Sequence, residues 1–198
     1  MTDRELALIA QALHSAKSPL NVGGISYSIT ETDTEWILCL RGSKSPEEWL
    51  QDFMALPIWT RLGMVHSGSW IGMDALYAVV LILARIALTA GKKIVLTGHS
   101  LGGGHAHEFA GLFILDGIMV KLVTFAAPRF AWANLRRIFE KAGIERRNYQ
   151  FKNDPVPEVP PFPYVYAIDL THLDGPTDPN DFANLRDHEI KNYVGALT

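Results

Sequence analysis

A chain of 198 residues with 48% hydrophobic and 20% charged residues has the apolar content to bury a substantial core. Its formal net charge of -3 and its scattered basic pairs, such as Lys92–Lys93 and Arg146–Arg147, form no basic stripe, which excludes nucleic acid as the expected partner. Cys39 is the only cysteine, so an internal disulfide and a cysteine-based metal cluster are excluded as well.

The N-terminal "MTDRELALIAQALHSA" has no basic region followed by a continuous apolar core. With Thr2 as cap and Glu5 three residues on, it reads as a capped helix and not as a signal peptide. That reading leads to the expectation of a cytoplasmic protein, or one released by a non-classical route. "GGISYSITETDTEWILCLRGS" predicts two strands, near 24–30 and 35–41, with Cys39 as a buried inert thiol in the second. "SPEEWLQDFMAL" carries helix-start signals, with serine, proline at the first helical position and two acids. Residues 57–72 read as irregular and aromatic, with a short strand near 64–66. A long helix follows over 73–90; its greasy segment "ALYAVVLILARIAL" is interrupted by Arg85 and too short to span a bilayer.

"KKIVLTG" then predicts a buried strand, and a helix runs from about 100 to 115. "MVKLVTFAAP" is another strand, "AWANLRRIFEKAG" an amphipathic helix, and "IERRNYQFKND" a further strand. The tail reads as mostly loop with a helix around 181–197. Strands alternating with helices, and apolar enough to be covered on both faces, predict a single α/β domain over 1–198 with a largely parallel sheet.

Gly98-His99-Ser100-Leu101-Gly102 matches G-x-S-x-G between a strand and a helix. Such an elbow strains the serine backbone and lifts its hydroxyl above the sheet, while the Leu101 N–H points from the helix N-terminus toward a developing oxyanion. The stretch does not match G-x-x-x-x-G-K-[ST] or G-x-G-x-x-G, the phosphate-binding alternatives. A serine nucleophile needs a base, and the base an orienting acid, in the chain order Ser, Asp or Glu, His. His172 and His188 are the histidines well downstream. Asp154 ends a strand before Pro155, either as the acid or as a turn aspartate bonding its own backbone. His105 and His107 stand two apart on one helix, cannot share a face as a metal pair, and read as structural together with His99.

At this point the sequence resembles the class 3 lipases, fungal-type triacylglycerol lipases and esterases on the α/β-hydrolase fold. The resemblance spans roughly 35–195 and rests on "LRGSKSPEEWLQDF", "VHSGSW", "VLTGHSLGGGHA", "LVTFAAPR" and "NDPVPEVPP". It implies that Ser100 is the nucleophile, Asp154 the acid and His188 in "DHEIKNY" the base, ahead of His172. It further implies that Ser43 of "RGS" supplies the second oxyanion N–H opposite Leu101, that His66 is structural, and that no metal or organic cofactor is needed. The helix after "RGS" is implied to be a lid, with Trp49, Phe53, Leu56, Ile58 and Trp59 offered to an acyl chain or a lipid interface. The expected activity is carboxylic-ester hydrolysis on a lipid or other small ester. A feruloyl-type esterase, an acyltransferase and a catalytically silent lipid-binding or interaction protein stand as alternatives.

Overall fold

A computed structural model of the chain describes residues 1–42, 56–173 and 185–197. In chain order the elements are α1 (Asp3–Ser15), β1 (Leu20–Val22), β2 (Ile25–Glu31), β3 (Glu35–Leu40), β4 (Pro57–Thr60) and β5 (Gly63–His66). There follow α2 (Ser67–Trp70), α3 (Met73–Thr89), β6 (Lys93–His99), α4 (Leu101–Leu115) and β7 (Val120–Phe125). The chain continues through α5 (Ala133–Ala142), β8 (Arg146–Phe151), a 3₁₀ turn at Val156–Glu158, β9 (Leu170–Leu173) and α6 (Ile190–Ala196).

Seven strands form one sheet in the order β1-β2-β3-β6-β7-β8-β9. The first three are antiparallel neighbours, and from β3 onward every pairing is parallel. Parallel neighbours need crossovers, which α3, α4 and α5 provide from β3 to β8 and the segment with the 3₁₀ turn provides from β8 to β9. Their strands are apolar at consecutive positions because both faces are covered. Trp36, Leu38 and Leu40 of β3 join Ile94, Leu96 and Leu122 under α3, α4 and α5. Ile37 and Cys39 join Val95, Val123 and Phe125 under α1 and α6. This is the α/β-hydrolase arrangement, a mixed but mostly parallel sheet between two helical layers. α4 is buried on nearly every side, which explains its lack of a polar face.

The capping box of α1 forms as expected: Thr2 Oγ1 accepts from the Glu5 N–H, and the Glu5 carboxylate accepts from the Thr2 N–H at 2.7 Å. Cys39 is fully buried and its thiol is pushed up to about 12 by desolvation, so it stays an unreactive thiol.

Several elements depart from expectation, although the short strand expected near 64–66 is present as β5. β1 and β9 are short edge strands without an apolar alternation to announce them. Residues 57–66 form a hairpin, with Gly63 at φ +88° closing the turn. Ile58 and Trp59 therefore lie on a strand and not on a lid helix. In the tail, the described helix begins only at Ile190. Among the described residues, no helix is long and apolar enough to cross a membrane.

Candidate active site

β6 ends at His99 and α4 begins at Leu101, so Ser100 alone turns the chain, at φ 59° and ψ -133°. A side chain at that φ carries strain of order 1–3 kcal/mol, which persists only where surrounding contacts hold it. Here the Ser100 N–H donates to Phe125 C=O at 2.9 Å, and the Gly103 N–H donates to Ser100 C=O at 2.8 Å. The flanking glycines leave room for the bend. A Cβ on Gly98 would lie 2.4 Å from Gly102 O, and one on Gly102 would lie 2.1 Å from Leu40 O. Gly104 faces the Phe130 ring, so this glycine serves the approach of α4 to the loop after β7.

Asp154 leaves the sheet just after β8, at the same edge as the elbow, and has no exposed surface. His188 comes from the turn preceding α6. Its Nδ1 lies 2.9 Å from Asp154 Oδ2, and its Nε2 lies 2.8 Å from Ser100 Oγ. A carboxylate only accepts, so Nδ1 carries the ring proton and Nε2 is left to accept from the Ser100 hydroxyl. Ser100 and His188 are also buried. His172 sits on the edge strand β9, paired with Gln150 and exposed, away from this chain of hydrogen bonds.

Two further contacts hold Asp154. Its Oδ1 accepts from the Val156 N–H at 2.9 Å, the local turn bond weighed above, so the residue both shapes its turn and faces His188. Its Oδ2 also accepts from the Tyr193 hydroxyl. Desolvation, and next the neighbouring Asp154 charge, hold the Tyr193 phenol well above its ordinary range, so it remains a donor. An aromatic shortly after the late histidine marks His188 in the sequence, but its contact with Asp154 was not legible there. Asp187 was also missed: its carboxylate accepts from the Asn153 N–H at 3.3 Å and ties the His188 turn to the end of β8.

Leu101 opens α4, and its N–H is one of the first-turn donors that a helix cannot satisfy internally. Ser43, Trp49 and Phe53 lie outside the described residues. Leu56 and Trp59 are exposed, while Ile58 packs partly against the core. His105 and His107 are buried and neutral: desolvation brings them down to about 4 and about 3, and His107 Nε2 contacts Thr124 Oγ1 at 2.9 Å. His66 is buried and stacks on Phe130 with ring centroids 5.6 Å apart.

A family model for Lipase (class 3) matches residues 37–164, a span that includes the elbow and Asp154. The chain belongs to the class 3 lipase family. It is 30% identical over 141 residues to secreted mono- and diacylglycerol lipase 1 of Fusarium solani, covering 67% of this chain but only 41% of that relative. Among solved structures it resembles the Rhizomucor miehei triacylglyceride lipase, with a TM-score of 0.76 at 19% identity over 93% of this chain and 90% of the other. It also resembles lipase II from Rhizopus niveus, with a TM-score of 0.77 at 17% identity over 95% and 94%. At those identities the two structures speak for the fold alone. The expectation of a cytoplasmic or non-classically released protein is corrected by the Fusarium relative, which is described as secreted. A capped helix that packs into the fold, as α1 does, carries no information about compartment.

Proposed function

We infer that this chain, read as one α/β-hydrolase domain over 1–198, is a serine hydrolase that cleaves carboxylic esters of lipids. The observation that carries the reading is the continuous chain Ser100 Oγ–His188 Nε2 and His188 Nδ1–Asp154, set on a strained turn. His188 takes the Ser100 proton as Oγ attacks the ester carbonyl, and Asp154 holds the imidazolium that forms. The oxyanion is received by the Leu101 N–H and by Ser43. Gly42, immediately before Ser43, supports that second donor: a Cβ there would lie 3.0 Å from Ser100 Cβ, so the chain passes against the elbow. His188 then protonates the departing alcohol, and the acyl group remains on Ser100. Water, deprotonated by His188, attacks the acyl-enzyme and releases the acid.

A lipid substrate is supported by the family and by exposed apolar side chains at the edge that carries the site. Trp59 is 76% exposed on the hairpin that donates to Phe130 C=O after β7, and Phe162 is 85% exposed in the loop after Asp154. The relative's description also favours a secretory location for this chain.

The test is a series of p-nitrophenyl esters from acetyl to palmitoyl, run on wild type and Ser100→Ala. Wild type is expected to favour the longer acyl chains, and Ser100→Ala to lose about 10⁶-fold in kcat, as in comparable triads. Covalent labelling by a fluorophosphonate should disappear with Ser100. Full activity in the alanine variant would overturn the mechanism, and a strict preference for acetyl would overturn the lipid assignment.

A further inference from the structure

We propose that His99 is a positioning residue for the base, holding the main chain that carries His188 against the elbow. The proposal rests on the reading of Ser100, His188 and Asp154 given above.

The His188 ring uses both nitrogens on Ser100 and Asp154, so its placement depends on what holds its peptide. The His188 N–H reaches Leu185 C=O at 3.2 Å, a bond within the same turn. The His188 carbonyl accepts from His99 Nε2–H at 2.7 Å, across 89 residues of sequence. His99 is the last residue of β6, registered opposite Phe125, and its neighbour is Ser100. One hydrogen bond therefore links the peptide of the base directly to the residue before the nucleophile. A slip of that peptide would carry Nε2 away from Ser100 Oγ.

The ring also suits a site where positive charge appears. Its centroid is 4.6 Å from the His188 ring, at 31° between planes. His14 of α1 meets it edge-on at 6.3 Å, and Tyr193 of α6 at 5.8 Å. Donation to a carbonyl requires the proton on Nε2. Desolvation, then the neighbouring His188, hold the His99 imidazole well below its usual range. It stays neutral while His188 becomes an imidazolium, so the His99 ring adds no positive charge beside that step.

Three variants test this on the intact chain, with Ser100→Ala run in parallel. His99→Phe keeps a stacked ring without a donor; His99→Gln places an amide N–H where Nε2–H was; His99→Asn is polar but too short. The Phe and Asn variants should lose on the order of tenfold to a hundredfold in kcat with KM little changed, the scale for a reacting group displaced by about 1 Å. His99→Gln should recover most of that loss. The low-field proton resonance of the His188–Asp154 hydrogen bond should weaken in Phe and Asn and return in Gln. Wild-type kcat in His99→Phe, or equal activities in Asn and Gln, overturns the positioning role; the Asn and Gln pair decides if the Phe variant fails to fold. Activity in Ser100→Ala would instead bring down the underlying reading, and the proposal with it.

Discussion

Asp154 shows how much of a single carboxylate's behaviour is set by what surrounds it. It has no contact with solvent, yet it receives the His188 Nδ1–H, the Val156 N–H and the Tyr193 hydroxyl. Burying a charge is costly unless its lone pairs are met, and three donors meet them here. Tyr193→Phe removes one donor without emptying the space its ring fills. A hydrogen bond to a charged group contributes about 1.5–3 kcal/mol, so kcat/KM should fall on the order of tenfold. A Tyr193→Phe enzyme with unchanged kcat/KM would show that the hydroxyl does nothing for the carboxylate. The positions of Ser100, Asp154 and His188 were legible as residues in the right chain order. Tyr193 was not, since the bond that matters spans 39 residues and leaves no local pattern.

At the scale of elements, the decisive unit is the β6–Ser100–α4 turn, where three backbones converge. Gly102 sits against Leu40 O at the end of β3, and Gly98 against Gly102 O. Both obstacles are main-chain atoms of the central sheet and its helix, which cannot swing aside as a side chain can. Gly102→Ala should therefore lower both the melting temperature and kcat, because relief requires tilting α4 and with it Ser100 and the Leu101 N–H. Normal activity and stability in that variant would mean that α4 has slack at its N-terminus. The elements around this turn were readable from the chain because their signals are local: a buried apolar run, a glycine, then a helix. The short strand near 64–66 was legible too and is β5, but its pairing with β4 in a hairpin was not. Its residues become strands by pairing Ile58 with Val65 and Trp59 with Met64, which composition does not specify. β9 escaped for the same reason, being an edge strand recruited by β8.

For the whole molecule, buried ionisable groups make stability depend on pH. Glu108 of α4 has no exposed surface. Ser69 Oγ lies 2.8 Å from His66 C=O and 2.6 Å from Glu108 Oε1. One hydroxyl has one proton to give, and with it on the carbonyl, a protonated Glu108 becomes the donor to Ser69. Desolvation agrees, pushing the carboxyl from 4.5 up to about 8. Between those values the unfolded chain has released a proton that the folded one keeps, so this group's contribution to stability falls as pH rises. His105 and His107 act in the other direction. They stay neutral in the fold down to about 4 and about 3, while the unfolded chain protonates near 6.5, so their contribution is lost as pH falls below that value. Together these groups place a stability maximum near pH 6.5. Glu108→Gln keeps the shape and a donor but cannot ionise, so its melting temperature should stay level from pH 6.5 to 8 where wild type declines. Parallel declines in the two proteins would show that Glu108 is not the group responsible.

The sequence by itself determined the fold class, the elbow and the residue types able to act with it, because these depend on local periodicity and on spacings a chain carries wherever it folds. It also pointed to His188 over His172 through resemblance, but the physical reason for the choice is tertiary. His172 is turned to solvent on an edge strand, while His188 lies between Asp154 and Ser100 with its peptide held by His99. Contacts that join residues 34 to 89 positions apart arise only when the sheet brings β6, β8 and α6 together. Tyr193, Asp187 and His99 became interpretable at that stage, since their roles lie in what they touch.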